Sequence, residues 1–233
     1  MSTLIAAIRS VAAYVAISLY VAVAAPIGMA LAITFRWKNL LYVLGHIGVA
    51  IGATLAGIRT RVVGRENIPG QAVVFCSNHQ SNIDPPILFR ALHPRLHILF
   101  KAELKKLPLL GKAFQIGGFV PIERTSRENA MAAIDQAAES LRQGNSFLTF
   151  PEGTRSRTGA LLPFKRGPFM MALKAQVPVV PVAVQGGAES MRKGSPIVRP
   201  TVVSVRIGAP VPTRGMTLDD RETLANLVRA RVE

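Results

Sequence analysis

The sequence predicts an α/β domain over residues 60–233, preceded by a membrane-embedded helical hairpin over residues 1–59. Two observations carry this reading. Residues 10–58 hold two long apolar stretches that are almost free of charge. From Thr60 onward, short β-rich runs alternate with amphipathic or polar helical stretches, the pattern of an α/β fold. With 233 residues and 49% apolar composition, the chain has room for one domain of ordinary size and ample material for its core.

The first charge-free stretch runs from Ser10 to Phe35, 26 residues bounded by Arg9 and Arg36. That is long enough to cross a hydrocarbon layer of about 30 Å. Pro26 interrupts it, which predicts a kink or break there. The second stretch, Asn39 to Ile58, has 20 residues, includes Gly45, Gly48, Gly52 and Gly57, and ends at Arg59 and Arg61. Two arrangements remain open. If both helices span, the Arg36-Trp37-Lys38 turn lies on the side opposite the α/β domain, against the tendency of cationic loops to stay cytoplasmic. A hairpin dipping into one leaflet keeps that turn among the headgroups with Trp37 at the interface. A cleaved secretory signal would fit Arg9 and the Ala22-Val23-Ala24 end of an apolar run, but the second apolar run argues against it. A soluble helical pair would leave two helices apolar all round for a small domain to cover. The expected location is the cell membrane, with the α/β domain on the cytoplasmic side.

The formal charge of +15, from 28 Lys and Arg against 13 Asp and Glu, predicts an anionic partner: membrane surface, phosphorylated lipid or nucleic acid. Nucleic acid fits least well. Aromatic residues are 6% of the chain and mostly sit in apolar runs rather than among the basic residues. The single cysteine, Cys76, has no intramolecular disulfide partner, which suits a reducing cytosol. It lies in an apolar run with no activating neighbour, so a catalytic thiol is not expected.

Strands are expected near Arg61–Val63, Ala72–Cys76, His97–Phe100, Phe119–Ile122, Ser146–Phe150, Val179–Val184 and Val202–Ile207. The clearest helix runs from Ser126 to Gln143, with Thr125 and Glu128 at capping-box spacing before it and Gly144 as its stop. Its Ala130, Ala133, Ile134, Ala137, Ala138 and Leu141 recur at helical spacing and form a face to pack on the sheet. A last helix follows Thr217, whose spacing to Asp220 suits an N-cap, and ends near Arg231.

Three polar segments at strand ends carry chemistry. In Ser77-Asn78-His79-Gln80-Ser81-Asn82-Ile83-Asp84, a histidine follows a strand and a carboxylate five residues later precedes Pro85-Pro86, an economical helix start. Across such a turn Asp84 can accept the proton on one ring nitrogen and leave the other as a base. An oriented base of this kind can take the proton of an alcohol as it attacks a carbonyl. In Phe150-Pro151-Glu152-Gly153-Thr154-Arg155-Ser156, glycine permits a tight turn while Thr154, Arg155 and Ser156 offer donors for phosphate oxygens. Phe119-Val120-Pro121-Ile122-Glu123-Arg124 brings an arginine to a strand end, and Lys101 ends the strand before it in the same way. Cations at equivalent ends of a parallel sheet share one crevice.

Together these residues resemble the glycerolipid acyltransferase family typified by 1-acylglycerol-3-phosphate acyltransferases, over roughly Val62 to Val211. His79 and Asp84 fall on the family's His-x4-Asp motif. Phe119 to Arg124 matches its second block, Phe150 to Ser156 its Glu-Gly-Thr-Arg-Ser block, and Val177 to Val182 its Val-Pro-x-x-Pro block. The resemblance implies a glycerolipid-acyltransferase-like domain, a central mixed sheet flanked by helices. It implies His79 as general base with Asp84 as orienting partner. Arg124, Glu152, Gly153, Thr154 and Arg155 would bind the lysophosphatidic acid acceptor, with Lys101 helping, while Pro178 and Pro181 would shape the site. The implied reaction is direct acyl transfer from acyl-CoA or acyl carrier protein, as co-substrate, to the acceptor hydroxyl, giving phosphatidic acid without an acyl-enzyme, metal or further cofactor. Backbone amides near the helix after Asp84 are the expected oxyanion donors.

Other chemistries fit less well. There is no Gly-x-Ser-x-Gly elbow for a serine hydrolase. The four histidines, His46, His79, His93 and His97, do not pair with cysteines as zinc ligands do. Acylation of another lysolipid, such as a lysophospholipid or lyso-ornithine lipid, and a catalytically silent membrane scaffold are the remaining readings.

Overall fold

In a computed structural model that describes residues 3–123 and 126–233, two N-terminal helices dock on an α/β domain built around one sheet. Helix α1 (Thr3–Thr34) continues through Pro26 without a break. Its 32 residues extend about 48 Å. Helix α2 (Lys38–Ala56) stops at Gly57, whose φ of 77° closes it with a left-handed cap. Both are long and apolar enough to cross a membrane, and only 17% of each apolar window is buried. Leu4, Ile8, Val11, Leu19 and Val23 are each at least 61% exposed, so α1 is not the core helix of a soluble protein.

Small residues set how closely the two helices approach. A Cβ on Gly52 would stand 2.5 Å from Ile17, and one on Gly28 would stand 2.6 Å from Leu44. Hydrogen bonds fix the pair to the rest of the chain. Tyr14 Oη donates to Pro196 O at 2.7 Å, Val198 N donates to Ser10 Oγ at 2.8 Å, and Tyr42 Oη donates to Gly117 O at 2.5 Å.

The seven expected strands all form, with edges shifted by one or two residues. They are β1 (Arg59–Val63), β2 (Val74–Ser77), β3 (Leu96–Lys101), β4 (Val120–Ile122), β5 (Ser146–Thr149), β6 (Val179–Gln185) and β7 (Val202–Ile207). Their order in the sheet is β1-β7-β6-β2-β5-β3-β4. Strands β2 to β6 run parallel, while β7 pairs antiparallel with β6 and carries β1 beside it, so the sheet is mixed. Every residue of β2 and of β5 is buried, as central strands covered on both faces must be.

The alternation of side chains divides the core in two. Phe75 and Leu148 point to a face covered by α2 and α3 (Asp84–Leu92), together with Leu88, Leu92 and Val180. Val74, Cys76 and Phe147 point to the other face. There α5 (Arg127–Arg142), α6 (Gly167–Ala175) and α8 (Arg221–Val232) pack through Ala137, Leu141, Phe169, Leu224 and Val228. Two shorter helices complete the fold, α4 (Leu110–Ile116) and α7 (Gly187–Ser190). The predicted apolar stripe of α5 is buried from Ala133 to Leu141, while Ala130, in the first turn, is half-buried. Its start differs from the expectation: Thr125 lies outside the described residues, and Ser126 is the N-cap, its Oγ accepting from Asn129 N at 3.2 Å. Thr217 and Asp220 form the expected capping box, on a short 3-10 turn that runs into α8.

Candidate active site

The site lies where neighbouring parallel strands β2 and β5 end on the same edge of the sheet. As the chain leaves β2, Asn78 takes over the pairing with β6. Its Nδ2 donates to Val184 O at 2.9 Å, and Val184 N donates to its Oδ1 at 2.7 Å. This anchors the residue before His79.

His79 then meets Asp84 across the turn, Nδ1 to Oδ2 at 2.9 Å. The backbone N–H groups of Gln80 and Ser81 donate to the same carboxylate oxygen, each at 2.7 Å. Three donors on one oxygen hold a carboxylate that has no solvent exposure at all. With Asp84 facing Nδ1, the imidazole carries its proton there and keeps Nε2 as an acceptor. The ring is 16% exposed and stacks on Phe150 with centroids 4.2 Å apart.

The second loop is tied to the first. Ser156 N donates to His79 O at 2.8 Å, and His79 N donates to Glu152 Oε1 at 2.7 Å. Glu152 Oε2 accepts from Leu162 N at 3.0 Å. Glu152 is 3% exposed, so burial pushes its carboxyl above the ordinary range while the two backbone donors pull it back. Gly153 has a φ of 70°, which favours glycine, and allows the loop to turn sharply after Glu152. Thr154 is exposed and Arg155 half-buried beside it. Thus His79, Asp84, Glu152, Gly153, Thr154 and Arg155 are brought together. Lys101 ends β3, which lies parallel beside β5, and its Nζ pairs with Glu103 at 3.1 Å on the surface, where both side chains are more than 60% exposed. Arg124 lies outside the described residues.

The expected oxyanion donors at the start of α3 are not there. Gln80 N and Ser81 N are committed to Asp84, Ile83 N faces Ser81 Oγ, and Asp84 N and Ile87 N bond to backbone carbonyls. Pro85 and Pro86 have no N–H to offer. The dipeptide that starts this helix economically also strips its first turn of donors.

Two contributors escaped the sequence reading. Asn78 stands next to His79, but its pairing with Val184 depends on β6 being adjacent. Gly187 has no motif to mark it. A Cβ there would stand 2.1 Å from Asp84 Oδ1 and 3.2 Å from Ser81 Cβ, so only glycine leaves the carboxylate its place.

An apolar cavity of about 470 Å³ lies between the N-terminal helices and the α/β domain. Ile83, Pro85, Pro86 and Ile87, the immediate neighbours of Asp84, form one wall, and Ala24, Leu41, Gly48 and Phe114 are among the others. The cavity therefore begins beside the His79–Asp84 turn and leads toward the apolar helices.

Residues 59–185 match the model of the family described as Acyltransferase. The chain belongs to this family. Among curated relatives, it is 37% identical over 177 residues to the 1-acyl-sn-glycerol-3-phosphate acyltransferase alpha of Homo sapiens, covering 75% of this chain and 62% of that one. It is 32% identical over 178 residues to the 1-acyl-sn-glycerol-3-phosphate acyltransferase of Saccharomyces cerevisiae, covering 75% and 59%. The chain thus spans about three-fifths of the length of these curated relatives. Its fold matches the crystal structure of PlsC, the 1-acyl-sn-glycerophosphate acyltransferase of Thermotoga maritima, with a TM-score of 0.85 and 26% identity, over 100% of this chain and 96% of that one.

Proposed function

We propose that this protein transfers a fatty acyl group from acyl-CoA or acyl carrier protein to the free hydroxyl of lysophosphatidic acid, giving phosphatidic acid. The observation that carries the reading is the buried Asp84 carboxylate holding His79 through Nδ1, on a turn whose next residues, Ile83, Pro85 and Pro86, line an apolar cavity. His79 Nε2 takes the proton of the acceptor hydroxyl as its oxygen attacks the thioester carbonyl. The tetrahedral intermediate collapses with loss of the C–S bond, and the imidazolium returns the proton to the departing thiolate. No covalent bond to the protein is required. The cavity takes a fatty acyl chain, and Arg155 and Thr154 meet the acceptor's phosphate, with Arg124 and Lys101 as further cations. Glu152, with its two oxygens accepting from His79 N and Leu162 N, ties the two loops together.

Acceptor and product are both lipids, which suits exposed apolar helices at the entrance to the site. With α1 and α2 in the membrane, Arg59 and Arg61, directly after α2, favour a cytoplasmic α/β domain in this reading.

The test is an assay of purified protein in mixed micelles with a panel of lysolipids and both donor types, read by mass spectrometry. Phosphatidic acid is the expected product. His79→Ala should lower its formation by about 10²- to 10⁴-fold while leaving the melting temperature near that of the parent. A folded His79→Ala protein with parental activity would end this reading.

A further inference from the structure

Beyond the residues at the strand ends, two lysines flank the Glu152–Ser156 loop, and neither has a carboxylate within ion-pair distance among the described residues. We propose that Lys193, with Lys165 on the other flank, binds the phosphate of the acceptor; this rests on the acyl-transfer reading above and names residues that no motif supplies.

Lys193 Nζ donates to Arg155 O at 2.9 Å and lies 3.4 Å from Thr154 Oγ1. An ammonium has three N–H groups, so this arrangement leaves one for a ligand. The side chain is half-buried, and among the described residues its hydrogen bonds go to a carbonyl and a hydroxyl. A partly desolvated ammonium in such a setting is under-compensated, and a phosphomonoester dianion held by the adjacent Thr154 and Arg155 would compensate it.

On the other flank, Lys165 N donates to Pro151 O at 2.8 Å, which ties its backbone to the loop. The stem then crosses Gly153: a Cβ on that glycine would stand 2.9 Å from Lys165 Cε and 3.0 Å from Nζ. Gly153 therefore serves the loop twice, through its backbone conformation and by letting a cation lie across it. Both ammonium groups sit within two or three residues of Ser156, whose N–H holds the His79 carbonyl.

Lys193 is held at this spot from both directions along the chain. Upstream, Met191 O accepts from Ser81 Oγ at 2.7 Å. Downstream, Pro196 O and Val198 N are hydrogen-bonded to Tyr14 and Ser10 of α1. A segment without regular structure is thereby fixed between the His79 turn and an apolar helix.

The experiment compares the parent with Lys193→Met, Lys193→Arg and Lys165→Met. It measures KM for lysophosphatidic acid and for the donor, kcat, and the rise in melting temperature given by lysophosphatidic acid and by uncharged monoacylglycerol. Lys193→Met should raise KM for lysophosphatidic acid about tenfold or more, with donor KM and kcat within about twofold of the parent. It should reduce the thermal shift from lysophosphatidic acid but not that from monoacylglycerol. Lys193→Arg should restore most of the affinity, and Lys165→Met should show the same pattern more weakly. Equal losses toward acceptor and donor, an equal loss of both thermal shifts, or no change in acceptor KM would each overturn the assignment. A parent protein that acylates other lysolipids but not lysophosphatidic acid would overturn the acceptor reading itself, whatever the variants do.

Discussion

Gly187 offers the sharpest test of how the dyad is held. A methyl group at this position would stand 2.1 Å from Asp84 Oδ1, and relief to an ordinary contact requires a separation greater by about 1.3 Å. The backbone of α7 has little room to yield, because Ser190 N and Met191 N bond back to Gly186 O and Gly187 O, and Met191 O holds Ser81. The carboxylate must therefore move, and a shift of that size opens the 2.9 Å contact between Oδ2 and His79 Nδ1 beyond hydrogen-bond range. Displacements of about 1 Å at a reacting group cost about 10²-fold in rate, so Gly187→Ala should lower kcat by about that factor. Overpacking of a buried site should also cost about 1–3 kcal/mol of stability. Residue 187 packs against Asp84 and Ser81, so both KM values should stay within about twofold. Steady-state kinetics on variant protein with a confirmed cooperative melt is the assay. A kcat within about threefold of the parent would show that Asp84 does not depend on that clearance, and the account of the dyad would have to be rebuilt.

Other outcomes follow from groups away from the reacting atoms. His97 is 6% exposed, and burial, followed by the nearby charges of Arg95 and Lys38, lowers its pKa to about 4. The unfolded chain binds a proton near pH 6.5 that the folded chain refuses until about pH 4, so stability is complete above that upper value and falls as pH drops through the window. The loss reaches about 3 kcal/mol, and His97→Gln should flatten the melting temperature between pH 7 and pH 4.5. Burial pushes the Cys76 thiol up to about 12, with the Thr149 hydroxyl opposing it. Native protein should therefore resist thiol-labelling reagents for hours at pH 8 and react at once in denaturant; fast native labelling would contradict that burial. Ala113→Leu narrows the apolar cavity and should shift the preferred acyl chain toward fewer carbons, by about fourfold in kcat/KM per methylene excluded, as a chain-length series would reveal.

Much of this molecule is legible in its residues because the signals are local. Seven apolar runs became seven strands, and the stripe from Ala133 to Leu141 became the buried face of α5. The His79 to Asp84 spacing produced the predicted contact because a strand end, a five-residue turn and a proline-rich helix start leave few other geometries. Features that depend on distant partners were not legible. The reversal of β7 between β1 and β6 is set by packing and not by any property of Val202–Ile207. Lys193 joins Arg155 across 38 residues of sequence, from a segment with no regular structure to announce it. A strand-end position predicts where Lys101 lies but not its ion pair with Glu103, two residues on. Likewise, the prolines that made the start of α3 easy to recognise are what remove its amides as donors.

The cavity walls and the two polar loops come largely from different stretches of chain. Much of the lining belongs to α1 and α2, whereas every group that orients the imidazole comes from Asn78 onward. Under the proposed acyl transfer, substitutions among residues 13–56 should retune which hydrocarbon tail fits without disturbing proton transfer, and exchanging this stretch between related proteins becomes a rational route to altered lipid composition.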